Sequence, residues 1–133
     1  MNELGYSVYN LPGLGSMILA YPVVTMGKYT HKGSRNNFLG KENRDNSELI
    51  KMYSVEEQIS DMYPPSFVWQ CERDNQMPIE NTQMLVQKLK EHNVSYEYKT
   101  SDSDAHGWGI ATGTSAEGWL EEAISFWKNS IKK

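Results

Sequence analysis

The most constraining feature of the sequence is a strand–helix–strand–helix alternation in its second half. Ser66–Cys71 is a short apolar run of the kind found in strands buried on both faces. Apolar residues then recur at helical spacing over Ile79–His92, alternate with polar ones over Val94–Thr100, and recur helically over Ser115–Ile131. Strands joined through helices by short connections run parallel. The sequence therefore predicts an α/β fold with a parallel sheet and flanking helices.

The first half of the chain is less regular. Met17–Val24 is a second continuous apolar run, which predicts another buried strand. Met26–Asn46 is polar and rich in Gly, Asn, Lys and Arg, and we interpret it as a long irregular excursion. Short helical turns are predicted at Ser47–Ile50 and Val55–Ile59. The chain of 133 residues is long enough for one compact domain and too short for two.

Composition and charge argue against several classes of partner. The net charge of -4, with no basic cluster, disfavours nucleic acid. Met1–Leu4 shows no signal-peptide pattern, and no apolar run is long enough to span a bilayer. The single cysteine, Cys71, cannot form an intrachain disulfide, so we expect a cytoplasmic protein without a membrane partner. His31 and His92 are spaced unlike metal ligands, and we expect neither metal nor cofactor.

Two residues with catalytic side chains lie at the same predicted edge of the sheet. Asp74 stands in the loop 72–77 after one strand, and His106 stands in the loop 101–113 after the next. Functional groups of parallel sheets gather on such loops, at the carboxyl ends of the strands. A buried carboxylate that accepts a hydrogen bond from an imidazole fixes the tautomer needed for acyl transfer. We therefore predict that Asp74 and His106 form a catalytic pair.

Simpler interpretations stay open for each of these residues. Asp74 beside Arg73 is also typical of a turn or of the entry to a helix. His106 is also typical of a histidine in a glycine-rich loop that transfers no proton. Trp108 is a candidate for the wall of a substrate pocket, and packing beneath the loop is an equal alternative. It is the placement of Asp74 and His106 on adjacent strands that favours the catalytic interpretation.

Several short motifs follow one another in a characteristic order: Ile18–Val23 (ILAYPV), His31–Ser34 (HKGS), Pro64–Gln70 (PPSFVWQ), Arg73–Asn81 (RDNQMPIEN) and His106–Gly109 (HGWG). This series resembles the α/β-hydrolase group of acetyl-esterases, acetylxylan esterases and lipase-like carbohydrate esterases, over most of the chain from Met17 onward. The resemblance implies the C-terminal portion of an α/β-hydrolase fold. It also implies Asp74 as the acid and His106 as the base of a triad, with a small ester or acetylated sugar as substrate.

The nucleophile of such a triad is missing from the pattern. These hydrolases carry their serine in G-x-S-x-G on a strand-to-helix turn, and this chain lacks that motif. Gly5–Tyr9 has Tyr9 where the second glycine should be, and Gly13–Ser16 has its serine at the wrong position. Leu4–Leu11 instead resembles an earlier segment of the same family. We therefore interpret residues 1–133 as one truncated domain, with an atypical segment at 1–16 and a hydrolase-like part at 17–133.

Three functions remain open from the sequence. The first is an ester hydrolase whose serine comes from elsewhere, and the second is an inactive fragment that acts as an oligomerising or interaction module. A third is a small domain that binds a ligand on its strand-end loops without chemistry. Leu11–Ser16 is too short for a parallel crossover, which needs roughly a dozen residues. A strand at Tyr6–Leu11 must therefore pair antiparallel, stay unpaired or join another copy of the chain. We expect the half-sheet to leave an open, apolar edge, and the protein to be a homo-oligomer through that edge or by strand exchange.

Overall fold

A computed structural model describes residues 15–130 of the chain. Three strands and four α-helices follow one another, with a 3₁₀ turn at Val55–Glu57 between the second helix and the second strand. In chain order they are β1 (Met17–Ala20), α1 (Lys32–Leu39), α2 (Ser47–Tyr53), β2 (Ser66–Cys71), α3 (Ile79–Glu91), β3 (Tyr96–Ser101) and α4 (Trp119–Ser130).

The three strands form one sheet in the order β1-β2-β3, and both neighbouring pairs are parallel. In register, Met17 lies opposite Ser66 and Ser66 lies opposite Tyr96. Every residue of β2 is buried, as a central strand covered on both faces requires. The prediction of a parallel α/β sheet is therefore confirmed, and the carboxyl ends of β2 and β3 lie side by side.

Helices cover the sheet on both faces, and β2 alternates its side chains between two cores. On one face Phe67, Trp69 and Cys71 pack with Trp119 and Ala123 from α4. On the other face Val68 packs against α3 and the connection that follows β1. Burying each large apolar side chain contributes about 1.5–3 kcal/mol. These two clusters fix the ends of β2 and β3, on which the candidate site is built.

Several elements differ from the sequence-based prediction, and β3 spans Tyr96–Ser101 rather than Val94–Thr100. β1 ends at Ala20 rather than Val24, because Tyr21 turns the chain with φ of 40°. A helix, Lys32–Leu39, lies inside the excursion expected to be irregular. The last helix begins at Trp119 rather than Ser115, after turns that include Gly118 at φ of 89°.

The N-terminal segment, a membrane-spanning helix and the single cysteine were also the subject of expectations. The predicted strand at Tyr6–Leu11 and the Gly5–Tyr9 segment lie outside the described residues. Between residues 15 and 130, no helix has both the length and the apolar character needed to cross a membrane. Cys71 is a free and buried thiol.

Candidate active site

The structure brings Asp74 and His106 into direct contact at the carboxyl ends of β2 and β3. Oδ2 of Asp74 and Nδ1 of His106 are 2.7 Å apart. The Asp74 side chain is fully buried, whereas the His106 side chain is 27% exposed. Because a carboxylate only accepts hydrogen bonds, Nδ1 carries the proton and donates it. The ring nitrogen Nε2 of His106 has no hydrogen-bond partner among residues 15–130 and is free to act as a base.

Main-chain hydrogen bonds join the two loops that carry this pair. The N–H groups of Glu72 and Arg73 donate to the carbonyls of Ser101 and Ser103, each at 2.9 Å. The N–H of Asn75 donates to the carbonyl of Asp104 at 3.2 Å. These bonds continue the β2–β3 pairing past the ends of the strands. Asp74 and His106 are therefore positioned by backbone contacts as well as by their own hydrogen bond.

The second oxygen of Asp74 is bonded within its own loop. Oδ1 accepts from the N–H groups of Gln76 and Met77, at 2.8 and 2.9 Å. This is the local bonding expected of an aspartate in a turn. Oδ1 therefore shapes the loop, while Oδ2 faces His106.

A buried polar network supports the loop from below. Gln70 of β2 donates from Nε2 to the Met77 carbonyl at 2.7 Å, and its Oε1 accepts from the Thr82 hydroxyl at 2.8 Å. The hydroxyl of Tyr98 lies 3.1 Å from that of Thr82. Gln70 is a polar residue inside an apolar strand, which is the one signal in the sequence that could have pointed to this role.

Asn81 supports the neighbouring connection after β1 in the same way. Its Oδ1 accepts from the N–H groups of Val24 and Thr25, and its Nδ2 donates to the Pro22 carbonyl. The side chain is completely buried on α3, four residues before Leu85 on the same helical face. A polar residue in the apolar stripe of a helix is a sequence signal of buried hydrogen bonding.

Tyr21 forms the wall beside the histidine. Its ring lies edge-on to the His106 ring at 5.3 Å between centroids, and to the Trp69 ring at 5.4 Å. Gly107 approaches the same ring so closely that a Cβ there would lie 2.6 Å from Tyr21 Cζ. Gly107 also has φ of 67°, a conformation that favours glycine. The loop after β3 can therefore pass Tyr21 only with a glycine next to His106.

Trp108 and Cys71 lie near the pair and are packed into the protein core. Trp108 is half-buried and packs against the core that contains Trp69 and Trp119. Cys71 lies at the end of β2, and burial raises the pKa of its thiol, with the Asp74 and Asp104 carboxylates raising it further. Hydrogen bonds from Ser103 and Gly107 act in the opposite direction. A neutral buried thiol is a poor nucleophile, so Cys71 does not replace the missing serine.

The other histidines lie away from this pair. His31 caps α1, accepting from the N–H of Ser34, and His92 contacts Asp61 through Nδ1 at 2.7 Å. Among the residues that the structure describes, no group of three or more His, Cys, Asp or Glu side chains could hold a metal ion.

Comparison with known proteins relates this geometry to one family. A model of the prolyl oligopeptidase family matches residues 16–133. The endo-1,4-beta-xylanase B of Butyrivibrio fibrisolvens is 35% identical over 103 residues, which are 77% of this chain and 16% of that protein. The acetylxylan esterase of Xylanibacter ruminicola is 29% identical over 117 residues, which are 86% of this chain and 24% of that protein.

A solved structure shows the same arrangement of strands and helices. The acetyl ester-xyloside bifunctional hydrolase from Caldicellulosiruptor lactoaceticus superposes with a TM-score of 0.80 at 28% identity. The match covers 86% of this chain and 42% of that one. The chain thus spans less than a quarter of the two curated relatives and less than half of the solved one. It corresponds to part of an α/β-hydrolase fold.

Proposed function

The chain belongs to the prolyl oligopeptidase family, and on that premise we propose that it supplies the acid and the base of a carboxylic-ester hydrolase. The observation that carries the proposal is the hydrogen bond of 2.7 Å between the buried Asp74 carboxylate and His106. It lies at the carboxyl ends of two adjacent parallel strands, where catalytic groups of such sheets are placed.

The proposed reaction is acyl transfer through a serine. Nε2 of His106 accepts the hydroxyl proton while the serine oxygen attacks the ester carbonyl carbon. The tetrahedral intermediate expels the alcohol, which takes the proton from Nε2, and water then releases the acid by the same two proton transfers. Asp74 keeps Nδ1 protonated and stabilises the imidazolium that forms in each step.

The proposed substrate is an ester on a sugar. The similar proteins include an acetylxylan esterase and an acetyl ester-xyloside hydrolase. An acetylated xylan or smaller acetylated sugar is therefore the substrate class that we propose, and a simple carboxylic ester is the general form. Trp108 lies two residues after His106 and is the proposed apolar wall for the acyl or sugar group.

The nucleophile of this reaction must come from outside the described residues. The sequence contains no G-x-S-x-G motif, and His106 Nε2 has no serine bonded to it within residues 15–130. A partner chain is the source that we propose. A second copy of this chain carries no such motif either, so that partner is a different protein. Independently of the nucleophile, we propose that the protein self-associates at the edge of β1, where Ile18 is 40% exposed. Light scattering at micromolar concentration should then give more than the mass of a single chain, and a monomeric mass would contradict self-association.

Labelling with a fluorophosphonate serine-hydrolase probe tests the catalytic proposal. The purified chain, mapped by intact mass and peptide analysis, should give no adduct that depends on His106. Addition of a protein segment with a G-x-S-x-G turn from a similar esterase should give one adduct on that serine, lost in His106→Ala. Failure of labelling in a mixture that forms a stable complex would contradict the assignment of Asp74 and His106.

The second candidate function is an inactive module for oligomerisation or interaction. The unbonded Nε2 of His106 is the observation that favours it, because the pair has no group to activate in the described chain. The same labelling experiment distinguishes the two candidates. For either function we propose a cytoplasmic protein, in which the free thiol of Cys71 stays reduced.

A further inference from the structure

A groove lies between the connection that follows β1 and the first turns of α3. It consists of two adjoining cavities of about 440 and 530 Å³, and both are lined by Tyr29, Glu56, Glu57 and Met84. Because the two cavities share these residues, they form one elongated depression. Its walls come from the connection between β1 and β2 and from α3, the helix that follows β2.

A buried carboxylate without a partner forms the centre of this groove. Glu56 is only 4% exposed, and its Oε2 has no hydrogen-bond partner among the described residues. Glu56 lies on the 3₁₀ turn Val55–Glu57, which the Val55 N–H fixes to the Val24 carbonyl at 2.9 Å. A buried carboxylate oxygen that accepts no hydrogen bond is unfavourable, and a hydroxyl donor supplied by a ligand would relieve that cost.

The rest of the lining indicates what kind of donor this is. Four carboxylates and three lysines line the two cavities, so the charges nearly balance and favour a ligand without net charge. Gln83 and Gln87 add amide groups from α3, and Tyr29 adds an aromatic ring with Lys28 Nζ 4.9 Å from its centroid. Carboxylates and amides accept from hydroxyl groups, and an aromatic ring packs against the C–H face of a sugar.

We infer that this groove binds a stretch of a carbohydrate chain, a neutral polymer rich in hydroxyl groups, on the same domain as the candidate active site. The inference rests on the proposed function for the identity of the polymer. A hydroxyl of the chain donates to Glu56, the amides of Gln83 and Gln87 bond further hydroxyls, and Tyr29 packs against a sugar ring. The groove thereby holds the polymer without taking part in the acyl transfer.

Titration of the full chain with linear, unacetylated xylohexaose tests the inference, by isothermal calorimetry and by amide shifts in ¹⁵N NMR spectra. We expect saturable binding with shifts at Tyr29, Glu56 and Gln83. Glu56→Gln keeps the shape of the side chain and removes its charge. It should raise the dissociation constant roughly tenfold. Tyr29→Ala should raise the dissociation constant by a similar factor. Glu121→Gln, at an exposed position of α4, should leave it unchanged.

Two outcomes overturn the inference: absence of saturable binding to a folded chain, and equal affinity in Glu56→Gln and the original chain. If Glu56→Gln does not fold, Gln83→Ala replaces it, because Gln83 is exposed and its truncation leaves the core intact. Asp74→Asn separates this inference from the proposed function. Binding of xylohexaose that persists in Asp74→Asn supports the binding role of the groove even when no esterase forms. Esterase activity without such binding refutes the binding role of the groove and leaves the proposed function intact.

Discussion

The loops after β2 and β3 differ sharply from the long connection between β1 and β2 in how their buried polar groups are bonded. In the loops, Asp74 accepts three hydrogen bonds and Gln70 makes two. In the connection, residues 21–65, the buried side-chain atoms without a partner include those of Thr30, Arg35, Asn36 and Glu56. Both regions expose large apolar side chains, Phe38 at 61% and Met62 at 91% in the connection and Ile110 at 63% in the loop after β3, so the difference lies in the buried polar groups.

This difference shows which part of the molecule is complete in the described chain. The paired loops hold Asp74 against His106 with contacts that this chain provides by itself. Buried polar groups are normally bonded in native proteins. Among the described residues, the loops around Asp74 meet that norm more fully than the connection does.

Truncation of Gln70 should have the largest effect on stability. Gln70→Ala leaves the Met77 carbonyl without its donor and opens a cavity under the loop, and we expect a loss of about 3 kcal/mol in the free energy of unfolding. Gln58→Ala is the matched control in the connection. Its amide also donates to a carbonyl, that of Lys51 at 3.4 Å, but it is exposed. Urea unfolding should show a change within about 0.5 kcal/mol for Gln58→Ala, and equal losses would contradict the comparison.

A side chain at position 107 should have the next largest effect. Gly107→Ala combines a strained φ with a Cβ 2.6 Å from the Tyr21 ring, and we expect a cost of about 2 kcal/mol. Gly109→Ala has φ of 55° and no atom within 4 Å of the added Cβ, so backbone strain alone should cost about 1 kcal/mol. Thermal unfolding measures both. Equal costs would show that Tyr21 does not confine the loop beside His106.

An apolar replacement of Glu56 in the connection should raise the free energy of unfolding rather than lower it. Glu56→Met removes a buried carboxylate that has no partner, and we expect a gain of about 1 kcal/mol. Glu57→Met on the same turn is exposed and should change stability little. Urea unfolding of both variants provides the test, and a loss of stability in Glu56→Met would show that the carboxylate is already bonded in the folded chain.

Local patterns in the sequence predicted the half of the fold that also proved well bonded. The apolar run of β2 gave its bounds as Ser66–Cys71, and the helical repeat placed α3 within one residue of Ile79–Glu91. Two strands with known carboxyl ends were then enough to predict the contact between Asp74 and His106. The helix α1 was missed because its N-cap is His31, which is an unusual capping residue.

Long-range contacts explain what the sequence could not predict about the site. Asn81 bonds Val24 across 57 positions, so no local pattern reports it. The wall formed by Tyr21 depends on a chain reversal at φ of 40°, which is rare for an aromatic residue. Both contacts depend on the register of β1 beside β2, which emerges only when the sheet is assembled.

The smallest expected effect concerns the titration of Cys71. Because burial raises the pKa of its thiol in the folded state, the unfolded chain releases the proton first as the pH rises. The stabilising contribution is therefore complete below the ordinary thiol pKa, about 8.5, and is lost as the pH rises through the higher folded value. Urea unfolding at a series of pH values should show parallel curves for the original chain and Cys71→Ala below pH 8, and a shallower fall for Cys71→Ala above it.

Asp74→Asn tests whether the loops and the connection are electrostatically independent of each other. The Asp74 charge raises the Cys71 pKa, whereas Tyr63, in the connection, has a pKa raised by burial alone. We expect Asp74→Asn to lower the pKa of Cys71, read from the pH dependence of its Cβ chemical shift in ¹³C NMR spectra, because the buried thiol is not accessible to alkylating reagents. The pKa of Tyr63, read from ultraviolet absorbance with Tyr63→Phe as reference, should stay the same. A change in the pKa of both Cys71 and Tyr63 would mean that the Asp74 charge acts on both regions. The loops around His106 would then be less separate from the connection than their hydrogen bonds indicate.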